Sequence, residues 1–306
     1  MKEFLKRKYR TIRIFLHKQT LPGFNGIPIA IILKYVWMEI LRDDIVTRSK
    51  SMAYSFFLSI FPALLVVLSL LPYFPMDDMI SAFQKNYIAL LPDEMGDYIN
   101  GIVIEMTNTT RKGLLSLSIF LALIFASSGV SSMLKGFNKS YETTYKKQNI
   151  LQRELRAIFL TCILGVMFLT SLLAIVLGKT LFVKWMYKAG STGSEYGIYN
   201  YLRWLLAFFL YYFFISIIYR VGPAFKNKLK MFTPGATLAT VLSVVSSVAF
   251  SMYVDNFFRY NEIYGSIGAL ILILVWLQIN SFIILIGYEL NASIAINRDL
   301  LAMGEE

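Results

Sequence analysis

Chemistry needs groups that ionise, ligate or attack, and in this chain of 306 residues they are few and far apart. The one histidine, His17, lies in a basic N-terminal stretch, and the one cysteine, Cys162, lies inside an apolar run. A disulfide within the chain is therefore excluded, no zinc cluster can be built from thiolates, and no histidine pair stands four apart as on a metal-binding helix. The acidic residues are scattered, with Asp43-Asp44, Asp77-Asp78 and Asp93-Glu94 far apart among them. Metal-assisted phosphodiester cleavage needs carboxylates or histidines gathered around one or two cations, and this spacing does not gather them. There is no glycine-rich phosphate loop and no soluble nucleotide-binding domain, so an ATP-driven pump in one chain is not expected either. The expectation is a protein that is not an enzyme, with no metal and no cofactor.

What remains are polar groups embedded in apolar sequence, where an ionisable side chain is costly and needs a partner or a task. Glu289 follows Gly287-Tyr288 at the end of the last apolar run. It reads either as a boundary residue pairing with Arg220 or Lys135, or as a carboxylate coupled to a proton or a substrate. Gln278 and Asn280 lie deeper in that run, suited to hydrogen bonds between helices or to a polar path. Ser128 and Ser132 belong to Ala126-Ser127-Ser128-Gly129-Val130-Ser131-Ser132, where small hydroxylic residues let helices approach closely or line a polar cavity. Asp255 and Arg259, four apart, fit a structural ion pair.

The elements that must hold these residues are membrane-spanning helices. Hydrophobic residues make up 57% of the chain and charged residues only 16%, against about 25% charged in soluble domains. Mean hydropathy is +0.58. Charge-poor stretches long enough to cross a bilayer recur near 51–74, 114–134, 157–178, 204–219, 231–254 and 263–288. Pro62 sits in the middle of the first and is the expected kink. The fourth is the shortest, reaching about 24 Å at 1.5 Å per residue against a hydrocarbon core of about 30 Å. No cleavable signal peptide is visible, because the first long apolar run starts some 50 residues in. The 24 phenylalanines and 19 tyrosines read as lipid-facing bulk and an interfacial belt.

Around these spans the sequence predicts shorter amphipathic pieces. Residues 1–18 are basic, with Leu5, Tyr9, Ile12 and Leu16 on one stripe, which suits a surface of anionic lipid headgroups as well as a disordered basic tail. After the breaker cluster Leu21–Pro28, a stripe from Ile29 through Leu41 reads as an interfacial helix. Two short outer helices are expected between Asp77 and Lys112, around Leu91-Pro92-Asp93. Six spans place both termini on one side. Of the 30 Lys and Arg residues, 22 fall on the side of the termini and 8 on the other. That bias makes the termini cytoplasmic and accounts for the net charge of +11 without a nucleic-acid partner. Residues 1–50 would thus form a cytoplasmic basic and interfacial segment, 51–290 the membrane domain and 291–306 a cytoplasmic tail.

The stretch Tyr264-Gly265-Ser266-Ile267-Gly268-Ala269-Leu270, with Leu274-Val275-Trp276-Leu277 and Gly287-Tyr288-Glu289-Leu290-Asn291-Ala292, resembles the C-terminal signature of the YihY/BrkB family. Ala53-Tyr54-Ser55-Phe56 through Phe61-Pro62, Gly222-Pro223 and Pro234-Gly235-Ala236 agree with it. The resemblance covers roughly residues 37–295. It implies a multi-pass protein of the bacterial inner membrane with six spans and cytoplasmic termini. The family has carried a ribonuclease label and a virulence-factor label, and its suspected role is movement of lipid or another envelope molecule.

The sequence is therefore read as an all-α integral membrane protein, a six-transmembrane-helix bundle with an N-terminal interfacial amphipathic helix and short outer helices. The leading functional expectation is a transporter or flippase for a lipid or cell-envelope molecule. The alternative is a non-transporting scaffold for envelope enzymes, and a membrane-bound nuclease ranks last. Membrane lipids are the expected partners, and the sequence leaves oligomeric state open, a homo-oligomer included.

Overall fold

A computed structural model of the chain describes residues 20, 22–42, 44–70, 112–137, 144–188, 196–256 and 261–304. The basic stripe of residues 1–18, the outer helices expected between Asp77 and Lys112, and the Asp255–Arg259 pair lie outside the described residues or side chains. Seven helices are described: α1 (Ile29–Arg42), α2 (Ile45–Leu70), α3 (Lys112–Phe137), α4 (Ile150–Lys188), α5 (Tyr196–Val221), α6 (Pro234–Asn256) and α7 (Asn261–Ala302). Among the described residues there is no strand, only a single antiparallel bridge between Tyr145 and Phe225. Six of the helices, all but α1, are long and apolar enough to cross a membrane.

Their surfaces are those of helices in lipid. Leu117, Phe120, Val166, Trp204 and Val245 are exposed, while Ser131, Ser216, Thr240, Ser243, Glu289 and Asn291 are buried. Water would oppose so large an apolar exterior; a hydrocarbon solvent does not.

The helix ends differ from the sequence reading in instructive ways. The fourth apolar span remains the shortest, Trp204–Val221, but its helix is longer, because α5 begins at Tyr196 and runs through Arg203. The fifth starts at Pro234 rather than Met231, since Thr233 accepts the Ala236 N–H at 3.2 Å as an N-cap and proline suits the first helical position. The expected tail 291–306 is mostly helix, with α7 running 42 residues to Ala302, about 63 Å. No glycine or proline interrupts Asn291 to Met303, and Gly304, at φ +75°, ends the helix.

The chain divides into two compact units, one made of residues up to Tyr54 and from Gly129 onward, the other of Ser55–Ser128. In the smaller unit α2 continues unbroken through Pro62, whose side chain is buried. Phe57 and Phe61 meet edge to face there, their centroids 5.7 Å apart. In the larger unit α7 packs against α1 and α6, α6 against α5, and α5 against α4.

The helix α1 lies on α7 through Ile32 and Val36, which join Phe24, Ile27, Leu290 and Ile294 in one apolar cluster. Its other face presents Leu33 and Trp37, the latter 63% exposed, as an interfacial helix requires. The chain enters α1 through a tight turn in which the Ile27 N–H donates to the Phe24 carbonyl at 3.0 Å. Asn25 and Gly26 have φ +52° and +81°, the geometry for which Asn-Gly is favoured.

Helices α6 and α7 touch backbone to backbone. A side chain at Gly235 would run into the Gly287 carbonyl and Asn291, and one at Gly287 would stand 2.7 Å from the Gly235 carbonyl and 2.5 Å from the Tyr219 hydroxyl. Replacing Gly287 with valine is therefore expected to lower stability by about 1–3 kcal/mol or to prevent assembly. The melting temperature of the detergent-purified protein, read beside its elution profile, checks this.

Candidate functional site, a buried polar centre in the last helix

From Gly287 to Ile296 every residue of α7 is buried, so this part of the helix is enclosed by protein on all sides. Its polar side chains each serve a different neighbour. Asn291 completes the start of α6: its Oδ1 accepts the Gly235 N–H at 2.9 Å, and its Nδ2 donates to Thr233 Oγ1 at 3.0 Å. Helix N-termini leave four N–H groups without partners in the helix. Thr233 satisfies one from within the chain segment and Asn291 another from across the helix contact.

On another face Tyr288 donates its hydroxyl to the Phe137 carbonyl at 2.7 Å, at the C-terminus of α3. With that proton committed, the 2.7 Å contact between the two tyrosine hydroxyls must be a donation from Tyr145 to Tyr288. The rings of Phe137 and Tyr288 stack at 4.1 Å, and Tyr145 lies 4.7 Å from Phe225. Tyr145 is held there because the segments 144–146 and 224–226 pair, with Lys146 N–H donating to the Ala224 carbonyl at 2.8 Å and Lys226 N–H to Thr144 at 2.9 Å.

Arginines complete the same end. Arg48 donates to the Gly136 carbonyl at 3.2 Å and Arg156 to the Pro223 carbonyl at 3.2 Å. Both bring positive charge to backbone oxygens, the first at a helix C-terminus. Leu285, one turn before Glu289 on the same face of α7, lies against Gly136 with the Arg48 side chain alongside.

Glu289 sits within this enclosure and is 1% exposed. Arg220 and Lys135, the cations the sequence offered it, are exposed. One turn on, Ser293 is equally buried, and its hydroxyl has no partner among the described residues.

The other residues singled out from sequence differ in burial. Asn280 is half-buried and donates to its own helix at the Trp276 carbonyl, 2.9 Å away. Gln278 is half-buried as well. Ser128 is exposed and Ser132 half-buried. In the same serine run Ser131 donates to Glu154 Oε1 at 2.8 Å, and Arg153 Nη2 donates to the same oxygen at 3.3 Å. Sequence reasoning passed over Asn291, Tyr145 and Tyr219, whose hydroxyl donates to the Ile284 carbonyl at 2.6 Å. Thr233-Pro234 carried a readable helix-start signal; nothing in the sequence connected it to Asn291.

These contacts fix what two substitutions do. Asn291→Leu strands a buried N–H at the start of α6 and costs about 1–3 kcal/mol. Tyr288→Phe removes the hydroxyl that both Tyr145 and Phe137 use, and costs about as much by the same reasoning. Thermal unfolding in one detergent reads both, and wild-type melting temperatures would contradict the assigned contacts.

Three of the short motifs noted in sequence thus meet in space: Gly235 of Pro234-Gly235-Ala236 lies on Gly287 of Gly287–Ala292, and Pro223 of Gly222-Pro223 accepts Arg156 at the same end. The family model described as "Virulence factor BrkB" matches residues 36–304. The chain is 30% identical to the putative ribonuclease-like protein YfkH of Bacillus subtilis over 80% of this chain and 88% of that protein. It is 26% identical to a UPF0761 membrane protein of Aggregatibacter aphrophilus over 85% of this chain and 90% of that one. A UPF0761 membrane protein of Haemophilus influenzae is 24% identical over 84% of this chain and 93% of its own length. No solved structure matches the chain. With its six apolar helices and a family match over most of its length, the chain is a multi-pass membrane protein and belongs to the BrkB family.

Proposed function

We propose that the protein moves a lipid or another cell-envelope molecule across the bacterial inner membrane, and that Glu289 is the carboxylate coupled to that movement. The observation that carries this reading is the complete burial of Glu289 inside a helix long and apolar enough to span the membrane. A carboxylate buried in a spanning helix is costly and needs a partner or a task. The termini face the cytoplasm in this reading, as the distribution of Lys and Arg favours.

The printed name of the Bacillus subtilis relative raises nuclease activity. That reading needs carboxylates or histidines converging on a cation. Among the described residues no group of three or more His, Cys, Asp or Glu side chains could hold one. Glu154 and Asp299 are each engaged by a neighbouring arginine. Transport is the better-supported reading, with a scaffold for envelope enzymes second.

The test is translocation of fluorescent phospholipid in proteoliposomes, comparing wild type, Glu289→Gln and protein-free vesicles. The expected result is protein-dependent translocation that falls at least tenfold in Glu289→Gln while the variant elutes and melts as wild type. Translocation undiminished by the substitution would remove Glu289 from the mechanism. No translocation of any headgroup offered would favour the scaffold.

A further inference from the structure

Serine and threonine in a helix have a ready partner for their hydroxyl in the carbonyl three or four residues back. Many here use it. Ser49 donates to Val46, Ser59 to Phe56, Ser127 to Ile124, Thr161 to Ala157, Ser171 to Phe168 and Ser246 to Ser243, all between 2.7 and 3.0 Å. Two of the most deeply buried hydroxyls do not. Ser216 on α5 is 2% exposed and Thr240 on α6 is 0% exposed, and neither hydroxyl meets a partner among the described residues. Ser243, one turn further along α6 and 1% exposed, lies beside the hydroxyl of Tyr211 on α5.

Ser216 and Thr240 share a depth, and Ser243 and Tyr211 lie about one turn deeper. Ser216 is five residues before the end of α5 at Val221, and Thr240 is six residues after the start of α6 at Pro234. The two helices pack together and are joined at that end, so both hydroxyls lie about 8–9 Å in from it. A buried hydroxyl left dry and unpaired costs about 1–3 kcal/mol. Turning to the helix's own carbonyl would remove that cost, and two buried hydroxyls at one level of two packed helices forgo it.

We propose that α5 and α6 enclose a hydrated polar pocket at this level of the membrane, with Ser216, Thr240, Ser243 and Tyr211 as its polar contacts and water as its guest. A buried water makes about three hydrogen bonds, which this group of hydroxyls can supply. All four side chains are neutral at ordinary pH, so the pocket accepts hydrogen-bonding guests rather than holding a fixed counter-charge. It involves different helix faces and different residues from the centre at Glu289, and does not depend on the transport reading.

Single cysteines test it in full-length protein carrying Cys162→Ser, reconstituted in liposomes. Ser216→Cys and Thr240→Cys are exposed to a small cationic methanethiosulfonate, which reacts with thiols that water can reach. Val245→Cys, on the lipid-facing side of α6, is the reference. The expected result is modification of both buried cysteines at least ten times faster than Val245→Cys. Rates no faster than the reference overturn the pocket. Where a cysteine variant does not fold, Thr240→Val decides: removing a water-bound hydroxyl lowers the melting temperature, whereas removing a dry one leaves it unchanged or raises it, and the latter outcome overturns the proposal. Neither readout requires transport, so failure here is distinguishable from failure of the lipid assay.

Discussion

Two helices surrounded by lipid gain little by hiding apolar surface from each other, because the lipid is as apolar as they are. They must be joined by close van der Waals approach and by hydrogen bonds. Gly235 and Gly287 provide the approach, and Asn291 the hydrogen bonds, within two turns of the same helix crossing. The enclosure around the second half of α7 depends on this joint. It fixes where α6 begins, brings the Tyr219 hydroxyl to the Ile284 carbonyl, and leaves the opposite faces of α7 for Phe137 and for α1. A β-carbon on either glycine would push the two backbones apart and draw Asn291 away from the N–H group it satisfies.

The basic residues at this end fall into two populations. Arg48 and Arg156 turn inward and are held by backbone carbonyls, so they act as structural donors as well as charges. Lys146, Lys147, Lys226, Lys228 and Lys230 are outward or exposed. The guanidinium fork suits the first task, since it can donate along several directions while staying charged. An ammonium on a flexible stem suits the second, meeting water and headgroups. A count of Lys and Arg by side treats both alike, which is why it speaks to orientation and says nothing of which cations build the fold.

Much of the architecture was legible because hydrocarbon is an unforgiving solvent: runs such as Leu114–Leu134 have to be helices, and six of them are. Boundaries were less legible. Arg203 looked like the end of a span, yet a charge ends only the apolar stretch and not the helix, so α5 begins at Tyr196. The same confusion hid the length of α7, where apolarity fades after Tyr288 but helical hydrogen bonding continues. The site was half legible. Glu289 stood out because a carboxylate in apolar sequence is rare by type. Asn291 did not, because an asparagine near a helix end is ordinary and its value lies in a partner 56 residues away in the chain. The stripe of serines in α3 was legible as a place of close polar contact, but not that Ser131 would meet Glu154. Helical phase against a neighbour decides that, and a sequence does not state the neighbour.

The cap that Asn291 places on α6 carries a consequence for biosynthesis. The start of α6 leaves the ribosome well before Asn291 does, so this helix enters the membrane with its first turn satisfied only by Thr233 and by water at the bilayer surface. Arrival of Asn291 removes the need for that water, and Gly287 then closes the seam. The first turn of α6 is thus completed only by a residue made later in the chain.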